Sequence, residues 1–178
     1  MRIGIICPSE IAFRRFMPAL QGNEDFQFVG LAVCSVEERF AKDIPDSSVV
    51  ESVINAEYQK AKMFTEMYGG KIFESYQSII ESDEIEAIYI PLPPALHFRW
   101  AKEALKHGKH VLVEKPSTIS VEDTKELIAL AEEKGLALHE NYMFIYHNQL
   151  DEIEKIVQSG EIGSVRLYRV SFGFPMRA

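Results

Sequence analysis

Gly108-Lys109-His110-Val111-Leu112-Val113-Glu114-Lys115-Pro116 is the stretch whose reading decides the fold. A glycine ends a helix, an apolar run forms a short buried strand, and an acid, a lysine and a proline follow. In an open α/β sheet, a lysine at the carboxyl end of a strand points into the crevice where such folds bind ligands. Pro116 fixes its own φ and biases Lys115 toward an extended conformation. The lysine is thereby held on stiff backbone, as a proton-transfer group must be.

Working outward, the same pattern repeats. Ile3 to Cys7 is an apolar run and predicts a buried parallel strand. Ile11, Ala12, Phe13, Phe16, Met17 and Leu20 recur at helical spacing, with Ser9 placed to cap the start. Phe26 to Val33 is a second strand, which completes a βαβ unit. Ala87 to Ile90 and His110 to Val113 are further strands, separated by a helix from about Ala95 to His107. Ser120 and Asp123 approximate a capping box for a helix that runs to Lys134-Gly135, and Leu136 to Leu138 opens another strand. Strands alternating with helices of this length predict an α/β fold, a doubly wound parallel sheet of Rossmann type.

Two stretches stand apart. Ser35 to Tyr68 is too long for a simple crossover, and its apolar spacing predicts one or two helices with a break at Asp43, Pro45 and Asp46. It reads either as an elaborated crossover or as an insertion shaping a substrate mouth or dimer contact. At the other end, a helix closes at Ser159-Gly160, and Val165 to Phe174 alternates as a strand. We expect a dinucleotide-binding domain over 1–145, then a linking helix and the first strand of an absent second α/β domain over 146–178.

The composition is that of a globular protein: of 178 residues, 47% are hydrophobic and 26% charged. The net charge of −8, from 19 basic and 27 acidic residues, argues against a nucleic-acid or anionic-membrane partner. Met1-Arg2-Ile3-Gly4 enters a strand directly, without the apolar stretch of a signal peptide, so a cytoplasmic location is expected. Cys7 and Cys34 fall in apolar runs and read as reduced core residues. Their spacing matches no metal site.

The first βα turn should carry G-x-G-x-x-G/A, whose glycines make the tight turn and admit a pyrophosphate. Here it reads Cys7-Pro8-Ser9-Glu10-Ile11-Ala12. Only Ala12 fits. Pro8 removes an N–H donor, Ser9 offers a hydroxyl where backbone approach is needed, and Glu10 repels a phosphate. After the second strand, Ser35 stands where an acid usually meets the adenosine ribose, which permits a 2′-phosphate. Arg39 is then either its partner or a solvated arginine at a helix start. Ile90-Pro91-Leu92-Pro93-Pro94-Ala95-Leu96-His97 follows the fourth strand. Its prolines suit a strand end before a helix.

Glu114-Lys115-Pro116, preceded by Ala-Leu-x-x-Gly-Lys-His-Val-Leu-Val, resembles the signature of the glucose-fructose oxidoreductase/inositol dehydrogenase/MocA family. The resemblance covers nearly the whole chain, with Ser35 to Tyr68 as the main departure. It implies a nicotinamide-dependent oxidoreductase acting on CH-OH groups of a sugar, nucleotide-sugar or polyol, with NAD or NADP as cofactor and a homo-oligomeric intact enzyme. It implies that Lys115 is catalytic, assisting proton transfer at the reacting hydroxyl. The dinucleotide would be lined by Cys7, Pro8, Ser9, Ile11, Ala12, Ser35, Arg39, Leu92, Pro93, His97, Glu114 and Lys115. His97 matches the family's Pro-Asn-xxx-His, though Pro94 replaces the asparagine; its plain alternative is a capping or surface group. The plain alternative for Lys115 is an ion pair with Glu114. Glu140 to Gln149 resembles the family's segment after the sixth strand, with His147 matched and Ile145 and Asn148 substituted. With Ser35 neutral and Arg39 near, NADP is favoured over NAD. No Asp is followed four residues later by His, the pair the family places in its second domain. The 178 residues are therefore expected to be inactive alone. The competing reading is a non-catalytic regulator or scaffold that kept the fold and lost the cofactor.

Overall fold

The computed structural model describes residues 1–171 and 173. The chain divides into two units, Met1–Asn141 and Tyr142–Ala178. The first unit is one six-stranded sheet in the order β3-β2-β1-β4-β5-β6, with every pairing parallel. The strands are β1 (Arg2–Ile6), β2 (Gln27–Ala32), β3 (Lys71–Phe73), β4 (Ala87–Ile90), β5 (His110–Glu114) and β6 (Leu138–Asn141). The helices are α1 (Met17–Gln21), α2 (Val36–Phe40), α3 (Ser47–Tyr68), α4 (Tyr76–Glu81), α5 (Pro94–Lys106) and α6 (Val121–Lys134). The strand order reverses between β1 and β4, the point where doubly wound sheets bind ligands.

Both faces of the sheet are covered, which is why its strands are continuous apolar runs. Successive side chains alternate between two cores. Ile6, Ala32, Ile88, Ile90 and Val113 pack with Trp100, Leu105 and Leu127 from α5 and α6. Ile5, Leu31 and Tyr89 face Met17, Ala61 and Phe64 from α1 and α3.

The first helix shows how one residue sets a local register. Residues 10–21 are helical, but Ala12–Phe16 is π-helical. Pro18 has no N–H, and in an α-helix its ring would clash with the carbonyl of Arg14. Widening the turn avoids that clash, and the Met17 amide donates to the Ala12 carbonyl five residues back. In that register the Phe13 carbonyl would look to Pro18 for a proton. It accepts one instead from the Tyr68 hydroxyl at the end of α3, at 2.9 Å.

The predicted break in the Ser35–Tyr68 stretch is present, between α2 and the 22-residue α3. Sequence reading missed β3 and α4. β3 is only three residues long, too short to show periodicity. It runs so close to β2 that a Cβ on Gly30 would lie 2.2 Å from the Lys71 carbonyl oxygen.

In the second unit, a short 3₁₀ turn (Met143–Tyr146) leads to α7 (Asn148–Ser159). A ring nitrogen of His147 accepts from the Gln149 amide, fixing the start of that helix. Of the strand expected from Val165 to Phe174, the described stretch is not in a ladder. Residues 165–171 carry no ladder, and Phe172 and Phe174 lie outside the described residues. Alternation alone makes no strand: without a partner, the backbone N–H and C=O groups gain nothing over water. No helix among the described residues is long and apolar enough to cross a membrane.

Candidate dinucleotide site

The loops after β1, β2, β4 and β5 lie along one edge of the sheet and meet at the switch point. The sequence-predicted site residues fall in these loops or in the strand ends and first helical turns that flank them. At β1, Cys7 has φ +78°, the left-handed conformation for which the fingerprint reserves its first glycine. The turn is thus built as the motif requires, at a strain of about 1–2 kcal/mol for a non-glycine residue. Ala12 is fully buried at the third position, where close helix–strand packing is needed. Pro8 is buried and Ile11 exposed. Ser9, half-buried at the second position, caps the helix: its Oγ accepts from the Ala12 amide at 3.1 Å. The hydroxyl proton remains available to an anion at the helix N-terminus. Glu10, which looked repulsive in the sequence, pairs with Arg14 at 2.8 Å.

The Cys7 side chain is not in the cradle. Its thiol hydrogen-bonds with the Tyr76 hydroxyl, and burial, reinforced by the nearby Glu57 charge, pushes it up to about 11. Glu57 is the centre of a network that the sequence analysis did not find. From α3 it accepts the Cys34 amide on Oε1 at 2.9 Å, the Tyr76 hydroxyl on Oε1 at 3.2 Å, and the Cys34 thiol on Oε2 at 2.8 Å. Burial and the bond to Glu57 push the Cys34 thiol up to about 12. Burial also raises the Tyr76 hydroxyl strongly. Three protonated donors therefore converge on one carboxylate beneath the ends of β1 and β2.

At β2, Ser35 caps α2 in a full capping box with Glu38. The Glu38 carboxylate also accepts the Tyr76 and Gln77 amides at 2.9 Å each, closing the start of α4. Glu38 and Glu57 are thus turned to protein donors, while Glu37 is exposed. Arg39 is exposed, and its guanidinium makes no ion pair among the described residues.

At β4, Leu92 is buried and Pro93 stands exposed at the N-cap of α5. His97 is not a surface group. It is 0% exposed, with Nε2 2.6 Å from the Leu92 carbonyl oxygen and Nδ1 2.7 Å from that of Pro116. At β5, Glu114 is buried and braces three strand ends. Its Oε1 accepts the Tyr89 hydroxyl at 2.8 Å and the Asn141 amide at 2.6 Å. Burial, then that bond to Glu114, pushes the Tyr89 hydroxyl up. Lys115 is exposed, and its ammonium makes no hydrogen bond or ion pair among the described residues. The alternative of a pair with Glu114 is therefore not realised. The Lys115–Pro116 bond is cis, and the Ser117 amide just beyond is held by Glu140 at 2.9 Å.

The residues present fit a dinucleotide. The first turn has the required backbone shape, a hydroxyl and a helix start face its mouth, no untied carboxylate comes from Glu38 or Glu57, and two unpaired cations, Arg39 and Lys115, stand at opposite ends of the edge. Among the described residues no cluster could hold a metal ion.

Comparison with known proteins agrees with this geometry. Residues 1–142 match the family model described as the oxidoreductase family, NAD-binding Rossmann fold. The chain is 35% identical over 175 residues to a dTDP-3,4-didehydro-2,6-dideoxy-alpha-D-glucose 3-reductase of Actinomadura kijaniata, covering 98% of this chain and 46% of that protein. It is 29% identical to D-xylose 1-dehydrogenase (NADP(+)) 2 of Haloferax volcanii, covering 98% and 46%. Among solved structures, KijD10, a 3-ketoreductase from Actinomadura kijaniata in complex with NADP, superimposes with a TM-score of 0.76 at 35% identity, covering 92% of this chain and 45% of that one. The chain spans less than half the length of these curated relatives.

Proposed function

Because this chain belongs to the oxidoreductase family with an NAD-binding Rossmann fold, we propose that it is the cofactor-binding half of a reductase or dehydrogenase of nucleotide-sugars, sugars or polyols that prefers NADP. The observation that carries the reading is Lys115: an unpaired ammonium at the carboxyl end of β5, among neighbours that are all tied down. A free cation on braced backbone suits a group that meets substrate. When bound, the nicotinamide supplies or accepts a hydride at the substrate carbon. Lys115 gives the proton to the oxygen on that carbon in reduction and takes it back in oxidation. Its charge also steadies the oxygen while negative charge develops there. Ser9 and the helix start hold the pyrophosphate. Arg39 takes a 2′-phosphate, and the occupation of Glu38 and Glu57 by protein donors supports NADP over NAD. Cys7, Pro8, Ile11, Ala12, Ser35, Leu92 and Pro93 shape the groove.

Turnover is proposed for the whole protein, which we place in the cytoplasm as a homo-oligomer taking a small-molecule substrate and no nucleic acid. The two free thiols and the net charge of −8 support that placement. Domain limits of 1–145 and 146–178 go with this reading. The test is a fluorescence titration of the 178-residue chain with NADPH and NADH. Saturable binding with NADPH tighter is expected, and Arg39→Ala should erase the difference. No binding of either nucleotide would leave a fold without its cofactor, as in a regulator or scaffold.

A further inference from the structure

The first turn offers an anion little attraction of its own. Pro8 has no N–H, Ser9 carries a side chain where a glycine would let a phosphate approach, and the chain as a whole has a net charge of −8. A pyrophosphate held there gains most from a cation brought in by another element. α3 brings one. Three of its residues fix where Lys60 lies. Glu57, three residues earlier, accepts from the Cys34 amide just past the end of β2. Ala61, the next residue, is fully buried in the same core cluster as Ala12 at the start of the first helix. Phe64, one turn later, meets the Phe13 ring edge-on, with centroids 5.0 Å apart. Lys60 therefore sits on the turn of α3 that passes from the end of β2 to the start of the first helix, beside the Cys7-to-Ala12 segment.

The plain role for Lys60 is an ion pair with Glu57 on the same helix face. That pair is not formed. The Glu57 carboxylate is taken by the Cys34 amide and thiol and the Tyr76 hydroxyl. Lys60 is exposed and makes no hydrogen bond or ion pair among the described residues. Its charge nevertheless reaches the first turn. With Arg39 it pulls the Cys7 thiol down, against the burial and the Glu57 charge that raise it, and of the two cations Lys60 acts the more strongly. We propose that Lys60 is a cofactor-binding residue whose ammonium holds the pyrophosphate, the bridge common to NADPH and NADH, and supplies attraction that a first turn without glycines lacks. The role differs from that of Arg39. A 2′-phosphate exists only in NADPH, so a cation on it sets the preference between the two nucleotides, whereas a cation on the pyrophosphate strengthens both alike. The long crossover between β2 and β3 then serves the groove twice, through Arg39 in α2 and Lys60 in α3.

The inference rests on the dinucleotide reading above, and the experiment separates the two. The unaltered chain, Lys60→Gln and Lys62→Gln are titrated with NADPH and with NADH, at low and at high salt. Lys62 is also exposed, lies over the Tyr58 ring, and leaves α3 on another side, so its variant removes the same charge away from the turn. Both changes are at exposed side chains, so both variants should fold, and equal urea midpoints check this. Lys60→Gln should weaken both nucleotides by the same factor, about fivefold at low salt, the upper range for an exposed ion pair. That loss should shrink as salt screens it. Lys62→Gln should change neither affinity. Weakening of NADPH alone would put Lys60 on the 2′-phosphate and overturn the assignment. Equal weakening by both lysine variants would reduce the effect to net charge, and no weakening by Lys60→Gln would make it a solvated lysine; either result overturns the assignment as well. In all three cases the unaltered chain still binds both nucleotides and the dinucleotide reading stands. If the unaltered chain binds neither, that reading falls and the role of Lys60 falls with it.

Discussion

Replacing Glu57 by leucine tests whether α3 is merely a crossover or a working part of the site wall. Leucine deletes the carboxylate that the Cys34 amide and thiol and the Tyr76 hydroxyl share. Cys34 and Tyr76 are 3% and 5% exposed, so water cannot easily replace the lost acceptor. An orphaned buried donor costs about 1–3 kcal/mol, and two strong donors are orphaned here. The thiol is a weak donor and adds little. Tyr76 keeps its bond with Cys7, which softens its share. The expected loss is therefore about 2–4 kcal/mol. Glu57→Gln keeps Oε1 for the two strong donors and loses only the thiol contact, so about 1 kcal/mol or less is expected. Urea denaturation with a check that m is unchanged gives both numbers. A cycle with Tyr76→Phe should show a coupling of about 1 kcal/mol, since the two groups touch. If Glu57→Leu unfolds within 1 kcal/mol of the parent, or if the glutamine variant is as unstable as the leucine one, the network does not hold the end of β2 as argued.

Other perturbations follow from the same geometry. In the whole protein, Lys115→Ala should lower turnover by ~10²–10⁴-fold, the range of general acid–base assistance, while NADPH titration of the 178-residue chain moves by less than about threefold; a reversed pattern would make the lysine a binding group. Cys7→Gly should leave NADPH affinity nearly unchanged, because the thiol it removes faces Tyr76 and not the cradle. Its stability should stay within about 1 kcal/mol of the parent, since relief of strain at φ +78° opposes glycine's added chain entropy and the lost thiol packing. Both thiols hold their protons above the ordinary range, at about 11 and about 12. The folded state therefore binds protons that the unfolded chain releases near pH 9, and stability should fall as pH rises from about 9 toward 11. Native-state alkylation at pH 8 should correspondingly be slow next to that of urea-unfolded chain. Gly30→Ala should be severely destabilising, by more than about 3 kcal/mol if β2 and β3 cannot separate, because its Cβ would meet the Lys71 carbonyl oxygen at 2.2 Å; a thermal midpoint near the parent's would show that β3 can move away.

What the sequence made readable, and what it hid, divides along a physical line. β1, β2, β4 and β5 announced themselves because strands buried on both faces must be apolar throughout, and the helix caps at Ser9 and Ser120 did so because they use local hydrogen bonds. At Val165 to Phe174 alternation says which face would be buried but not whether a partner edge exists, and residues 165–171 carry no ladder. β3 was missed because three residues carry no period. The site braces were missed for a different reason: Glu38 and Glu57 meet Tyr76, and Glu114 meets Asn141, across 19 to 38 residues of sequence, and no local rule pairs them. Yet a signal was present. Val50, Ile54, Glu57, Ala61, Phe64 and Tyr68 form one stripe at helical spacing, with Ala61 and Phe64 buried. A carboxylate in the middle of an inward stripe must find donors. Those donors can only come from strand ends and loops, since strand interiors are already paired. In a doubly wound sheet the ends are where ligands sit, so a lone acid on the buried face of a crossover helix points to the wall of a binding site before any coordinate is known.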